Sequence, residues 1–192
     1  MRKRIFIAIN LPENIKKKLI DYQSNWPDLP VRWAKKENLH ITLAFLGYLA
    51  DEELPEVLKI TKEITQKNQP FSINLNKICY GPRTGPPAPR MVWVEGEKSQ
   101  EIGKLQKDLE NSLLNSPVKL PEKPEVRSYA VHITLGRIKQ WEFRAIEPEE
   151  RPMINEDIFL SFEVNSIEIM ESRLKRGGAE YIILESAPLA QL

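Results

Sequence analysis

The sequence predicts an α+β fold made by internal duplication: a bilobal chain with two antiparallel sheets lining a central cleft and helices on the outside. Three observations predict it. Strand-like and helix-like stretches run β-α-β-α-β, then β-α-β, a shorter helical region and two closing strands. The tetrapeptide His40-Ile41-Thr42-Leu43 recurs 92 residues later as His132-Ile133-Thr134-Leu135. Phe71-Ser72-Ile73-Asn74 with Ile78 matches Phe162-Glu163-Val164-Asn165 with Ile169, 91 residues later. Solenoid repeats run about 20–50 residues, so a period this long describes two lobes. The chain of 192 residues reads as one two-lobed domain, with repeat units at about 3–80 and about 90–171 and a C-terminal strand at about 180–185.

The elements follow in order. Arg4 to Asn10 is a β-branched and aromatic run, hence a strand, and Pro12 opens a helix whose apolar side is Ile15, Leu19, Ile20 and Tyr22. Leu39 to Leu46 is a second strand, closed by Gly47. Asp51 to Gln66 is an amphipathic helix with Asp51 placed to cap it. Phe71 to Tyr80 and Arg90 to Glu95 are strands joined by a loop too rich in proline for either helix or central strand. Ser99 to Leu114 is a third helix, with Ile102, Leu105, Leu109, Leu113 and Leu114 on one side. After a proline-punctuated connector come a strand at Ser128 to Ile138, a helix or turn near Glu147 to Asp157, and strands at Leu160 to Glu171 and Glu180 to Glu185, the last two joined by a turn at Gly177-Gly178.

Composition narrows the class. Hydrophobic residues at 41% and charged residues at 29% are those of a globular protein. A formal net charge of +1 argues against coating long duplexes, yet leaves room for a basic pocket around one phosphate. The lone Cys79 sits in an apolar stretch and reads as structural. The apolar run Ile5 to Ile9 is too short for the core of a signal peptide, and no stretch approaches the length of a membrane span. A soluble cytoplasmic monomer with no membrane contact is the expectation.

The chain contains two histidines, and both open a copy of the repeated tetrapeptide. Strand side chains alternate faces, so His40 and Thr42 share one face while Ile41, Leu43 and Phe45 point to the other. The second copy sets His132 and Thr134 against Ile133 and Leu135. Two imidazoles and two hydroxyls then converge in one cleft. Such a set suits phosphodiester cleavage, where water needs a base and the leaving oxygen an acid. Histidine, with an ordinary pKa of about 6.5, serves as either near neutral pH. Thr42 and Thr134 can donate to non-bridging phosphate oxygens, and Arg137 can add a charged donor. Strict alternation puts Arg137 on the core face, so its use requires the strand to bend at Gly136. No metal or other cofactor is expected: a zinc site normally takes three or four ligands, and the sequence has no Cys cluster, H-E-x-x-H helix or phosphate-binding glycine loop.

These segments, extended to His40-Ile41-Thr42-Leu43-Ala44-Phe45-Leu46-Gly47 and His132-Ile133-Thr134-Leu135-Gly136-Arg137, resemble the paired H-x-T-x signatures of the two-histidine phosphoesterases. The branch they resemble most is the RNA 2′,3′-cyclic phosphodiesterases, historically called 2′-5′ RNA ligases. The likeness extends to Phe6 to Pro12, to Arg32-Trp33 before Asn38-Leu39-His40, and to Pro89-Arg90-Met91-Val92-Trp93. One departure is Val131, where many relatives have proline. The resemblance implies hydrolysis of a terminal 2′,3′-cyclic phosphate on RNA 3′ ends to a 2′-phosphate. His40 would be the proton donor to the leaving 3′-oxygen and His132 the proton acceptor that activates water. Reversal of the same steps would give ATP-independent 2′-5′ ligation. Trp33 is balanced between base stacking and packing, Trp93 falls to the core, and Arg83, Arg90, Arg127, Lys175 and Arg176 are candidates for the cleft rim. Two alternatives stay open: a module that binds RNA ends or nucleotides without turnover, and a phosphodiesterase for a small cyclic nucleotide.

Overall fold

The computed structural model describes residues 2–82, 89–120, 129–176 and 178–191. Nine strands form one antiparallel hydrogen-bonded network: β1 (Arg2–Asn10), β2 (Val31–Trp33), β3 (His40–Ala50), β4 (Phe71–Gly81), β5 (Met91–Gly96), β6 (His132–Ile138), β7 (Asn155–Val164), β8 (Ser166–Lys175) and β9 (Gly178–Pro188). Four helices accompany them: α1 (Glu13–Gln23), α2 (Leu54–Thr65), α3 (Gln100–Leu114) and α4 (Gln140–Ala145). The chain is thus α+β, but its strands join in a single sheet instead of two. The order is β7-β4-β5-β6-β3-β1-β8-β9, with β2 added along β6. The two motif strands, β3 and β6, lie side by side at the centre, where Ile41 pairs with Ile133.

The order explains why the two sequence units are not two separate bodies. The late strand β8 lies against β1, and the early strand β4 lies against β5. Each side of the sheet therefore borrows strands from the other half of the sequence. The expected strand from Leu160 to Glu171 is two strands broken at Asn165, with β7 at one end of the order and β8 near the other. One intervening residue spans only a few ångströms, so the sheet curls until these strands meet at their ends. The match between Phe71–Ile78 and Phe162–Ile169 is likewise uneven, since the first lies within β4 and the second crosses that break.

One sheet face is packed under the helices. Ile7, Ile9, Ile41, Leu43, Val94, Ile133 and Leu135 share a buried cluster with Ile15 and Leu19 of α1, Val57, Ile60 and Ile64 of α2, and Ile102, Leu105 and Leu109 of α3. Their spacing of three and four residues puts each helix's apolar side on the sheet, and burying a single such side chain contributes about 1.5–3 kcal/mol. Ser99 caps α3 by accepting from the Ile102 N–H at 3.3 Å. Asp51 does not cap α2, which starts later; its carboxylate accepts from Lys3 at 2.7 Å instead. The helix or turn expected near Glu147 to Asp157 is one 3₁₀ turn at Pro148–Glu150; α4 comes earlier, and Asn155 to Asp157 already pair with β4. Polar residues of low strand propensity are held in β7 by those pairings, a tertiary effect.

Gly47 does not end β3, which runs on to Ala50. It has a positive φ of 73° beside an extra residue, Leu46, in the pairing with β1. Among the described residues no helix is long and apolar enough to cross a membrane. Leu105 has no exposed surface and Phe159 is 92% exposed. Leu105→Ala is expected to cost about 2–5 kcal/mol in urea denaturation, and Phe159→Ala within about 0.5 kcal/mol.

Candidate active site

The second sheet face carries the functional side chains, and one extra residue in each motif strand decides which ones. In β3, Ala44 pairs with Ile7 and Thr42 with Ala8, leaving Leu43 as the extra residue. In β6, Gly136 pairs with Val92 and Thr134 with Trp93, leaving Leu135 as the extra residue. Each bulge shifts the alternation by one. His40 and Thr42 therefore share their face with Phe45, which is 69% exposed and not in the core as alternation alone predicts. His132 and Thr134 share theirs with Arg137, which is exposed, so the strand bends as its use requires. Phe45 and Arg137 hold equivalent positions, five residues after the two histidines.

Both imidazoles are fixed in the same way. His40 Nδ1 lies 2.7 Å from the Asn38 carbonyl, and His132 Nδ1 lies 2.9 Å from the Ala130 carbonyl. A carbonyl only accepts, so each Nδ1 carries a proton and each Nε2 is left for chemistry. His40 Nε2 meets Thr42 Oγ1 at 3.0 Å. Thr134 Oγ1 points at Met91 Sδ, 3.8 Å away. Asn38 and Tyr129, the residue before Ala130, are anchored in turn. Asn38 Nδ2 donates to the Ala179 carbonyl at 2.8 Å, and the Tyr129 hydroxyl donates to the Thr42 carbonyl at 2.8 Å. That second bond ties the approach to one motif onto the strand of the other.

The surroundings of the two rings differ. His40 sits among aromatics, with Phe6 and Tyr181 each 5.0 Å away between ring centroids. Phe6, Ala8 and Met170, with Tyr181 packed on them, form a small apolar cluster separate from the main core. His132 is stacked on Trp93, 4.1 Å between centroids and 28° between planes. Trp93 thus lies on the site face and not in the core. It rests on Gly81, where a Cβ would come within 2.1 Å of the indole. Trp33 is turned to the core side, its ring against Gly136. An open groove of about 420 Å³ lined by Asn76, Lys77, Glu95, Asp157 and Phe159 starts one strand out from His132, since Glu95 pairs with it.

Burial pushes the His40 imidazole down to a pKa of about 4. Its bond to the Asn38 carbonyl works in the opposite sense, while the charges of His132 and Lys16 push it further down. Burial therefore holds His40 neutral at physiological pH, and the two imidazoles are near enough to sense each other's charge. Of the expected rim residues, Arg83 and Arg127 lie outside the described residues. Arg90 and Arg176 are exposed, and Lys175 is paired with Glu180. Cys79 is buried. Sequence reasoning gave no site role to Phe6, Asn38, Tyr129 or Tyr181, because only the sheet order brings them to the histidines.

The sequence and the fold are similar to those of known proteins. The model of the LigT-like phosphoesterase family matches residues 9–91. Over that stretch the chain is similar to the LigT-like phosphoesterases. It is 29% identical to the RNA 2′,3′-cyclic phosphodiesterase of Methanocaldococcus jannaschii, over 95% of this chain and 98% of that one. A Thermus thermophilus crystal structure superposes with a TM-score of 0.81 at 28% identity, covering 97% of both chains. E. coli LigT complexed with 3′-AMP superposes with a TM-score of 0.77 at 25% identity over 100% of both.

Two predictions follow from this geometry. The unfolded chain binds a proton at His40 near pH 6.5 and the folded one only near 4. The stability held by neutral His40 is complete above about pH 6.5 and declines as the pH falls towards 4. Melting temperatures across that window should show a component that His40→Gln removes. Gly81→Ala should push Trp93 away, and the His132 ring protons, read by NMR, should lose the upfield shift that the stacked indole imposes.

Proposed function

We propose that this protein hydrolyses the 2′,3′-cyclic phosphate at RNA 3′ ends to a 2′-phosphomonoester, using two histidines and no metal ion. The observation that carries the reading is the pair of imidazoles, each with Nδ1 locked on a backbone carbonyl and each beside a threonine on one sheet face. The names of relatives across nearly the whole chain support the substrate class.

In this mechanism His132 takes a proton from water as the water oxygen bonds to phosphorus. The bond from phosphorus to the 3′-oxygen breaks, and His40 gives that oxygen its proton. The product carries a 2′-phosphate and a free 3′-hydroxyl. Thr42 and Thr134 donate to the non-bridging oxygens, where charge builds in the transition state. His40 must hold a proton to act as the acid, although its burial favours the neutral ring. The bound phosphodiester is an anion, and a neighbouring negative charge favours the imidazolium, so the substrate itself loads the acid. Phe45, exposed beside His40, offers a face for the terminal base. Arg137 adds positive charge on the same face. Reversal, with a 5′-hydroxyl in place of water, makes a 2′-5′ bond without ATP. We read the chain as two repeat units, about 3–80 and about 90–171, working as a monomer in the cytoplasm.

The test is hydrolysis of an oligonucleotide with a 2′,3′-cyclic end in EDTA. His40→Ala and His132→Ala are each expected to lower turnover at least about 10³-fold while leaving the fold intact. The pH profile should be bell-shaped, with the His40 ionisation near 4 in kcat/KM and higher in kcat, where substrate is bound. Wild-type turnover that needs a divalent ion would overturn the metal-free mechanism. Binding without turnover would make the motif a phosphate clamp.

A further inference from the structure

The groove beyond His132 is built on the same sheet face as the histidines. Residues paired directly across antiparallel strands project to one side. Glu95 pairs with His132, Lys77 with Glu95, and Asp157 with Lys77, so one row of side chains crosses β6, β5, β4 and β7 from the imidazole outwards. Neighbouring strands lie about 4.8 Å apart, which puts the Lys77 backbone about 10 Å from that of His132. Asn76 and Phe159 complete the lining of an open volume of about 420 Å³. Ile158 and Leu160 are buried, so Phe159 shares the side of Asp157, where it is 92% exposed and offers a bare aromatic face. The lysine is matched by Asp157 at 3.5 Å, and Glu95 adds a second carboxylate to the lining. These residues give a phosphate no net positive charge to bind. An aromatic ring beside amide, ammonium and carboxylate groups suits an uncharged nucleoside instead, whose base stacks and whose edges both donate and accept.

We propose that this groove holds the nucleoside that carries the attacking 5′-hydroxyl when the protein joins two RNA ends, with its base stacked on Phe159. The proposal rests on the reading of His132 as the base and His40 as the acid. In an in-line displacement at phosphorus the nucleophile enters opposite the leaving oxygen. The 3′-oxygen leaves on the His40 side, so the nucleophile comes from the His132 side, where the groove begins. In the transfer step the 5′-oxygen bonds to phosphorus and its proton passes to His132 Nε2. The bond from phosphorus to the 3′-oxygen breaks, and that oxygen takes the proton of His40. The phosphate stays on the 2′-oxygen and is now joined to the 5′-oxygen. Water needs none of the lining residues to reach phosphorus, so the groove serves transfer and not hydrolysis.

The experiment gives the protein an oligonucleotide with a 2′,3′-cyclic end and an excess of acceptor, a dinucleoside monophosphate with a free 5′-hydroxyl and a 3′-deoxy end. It measures the ratio of joined to hydrolysed product. In the wild type that ratio should saturate with acceptor concentration. Phe159→Ala should lower it at least about tenfold, the loss of one base–aromatic stack, while hydrolysis without acceptor stays within about twofold. Phe159→Trp should keep the wild-type ratio or raise it. A ratio unchanged in Phe159→Ala, or an equal fall in joining and hydrolysis, would overturn the proposal, as would wild-type hydrolysis with no joined product. The Phe159 ring protons are followed by NMR in parallel, in a titration with the acceptor alone. Upfield shifts of these protons in a protein that hydrolyses nothing would sink the catalytic reading and keep the groove as a nucleoside site. No shift would overturn the proposal whatever the turnover.

Discussion

A single extra residue in each motif strand, Leu43 in β3 and Leu135 in β6, is the constraint on which the rest of this site depends. A regular strand would send every second residue of His40 to Phe45 to the same face, burying Phe45 and sparing only His40, Thr42 and Ala44. The bulges keep Ile41, Leu43, Ile133 and Leu135 in the core while turning Phe45 and Arg137 out beside the histidine–threonine pairs. Gly136 permits the close passage of β2, since Val31 and Trp33 already occupy the space where a Cβ would stand. The same close passage brings Arg32 opposite Arg137.

The seam between β3 and β6 is narrow. One backbone pairing, Ile41 with Ile133, and one side-chain bond, Tyr129 to the Thr42 carbonyl, hold the two motifs at a set spacing. The Tyr129 phenol is largely buried, and that burial raises its pKa, so it remains a donor throughout the working pH range. This spacing matters because each histidine has a different partner set. One is enclosed by Phe6 and Tyr181, the other stacked on an open-sided Trp93. Enclosure removes water from His40 and lowers its pKa, whereas His132 is half-buried against the indole.

Much of this was legible beforehand, and the reasons are local. Hydrophobic periodicity located α1, α2 and α3, because their apolar sides follow the helical repeat. The histidines and threonines stood out because alternation and repetition are both written in the order of residues. Where inference failed, pairing overrode pattern. Asn155 to Asp157 became strand through β4, one apolar run split at Asn165 between distant edges, and Gly47 turned a strand instead of ending it.

The order of residues by itself determined the helices, most strands, the doubled motif and the identity of the two imidazoles, since each rests on spacing along one chain. Only the tertiary structure decided that the strands join in one curled sheet, because that depends on which distant edges pair. It also decided the faces of Phe45, Trp93 and Arg137, which hang on bulges that no periodicity records. The neutrality of His40 and the meeting of Arg32 with Arg137 belong there too. Burial and cross-strand register arise between segments far apart in sequence, and no single segment contains them.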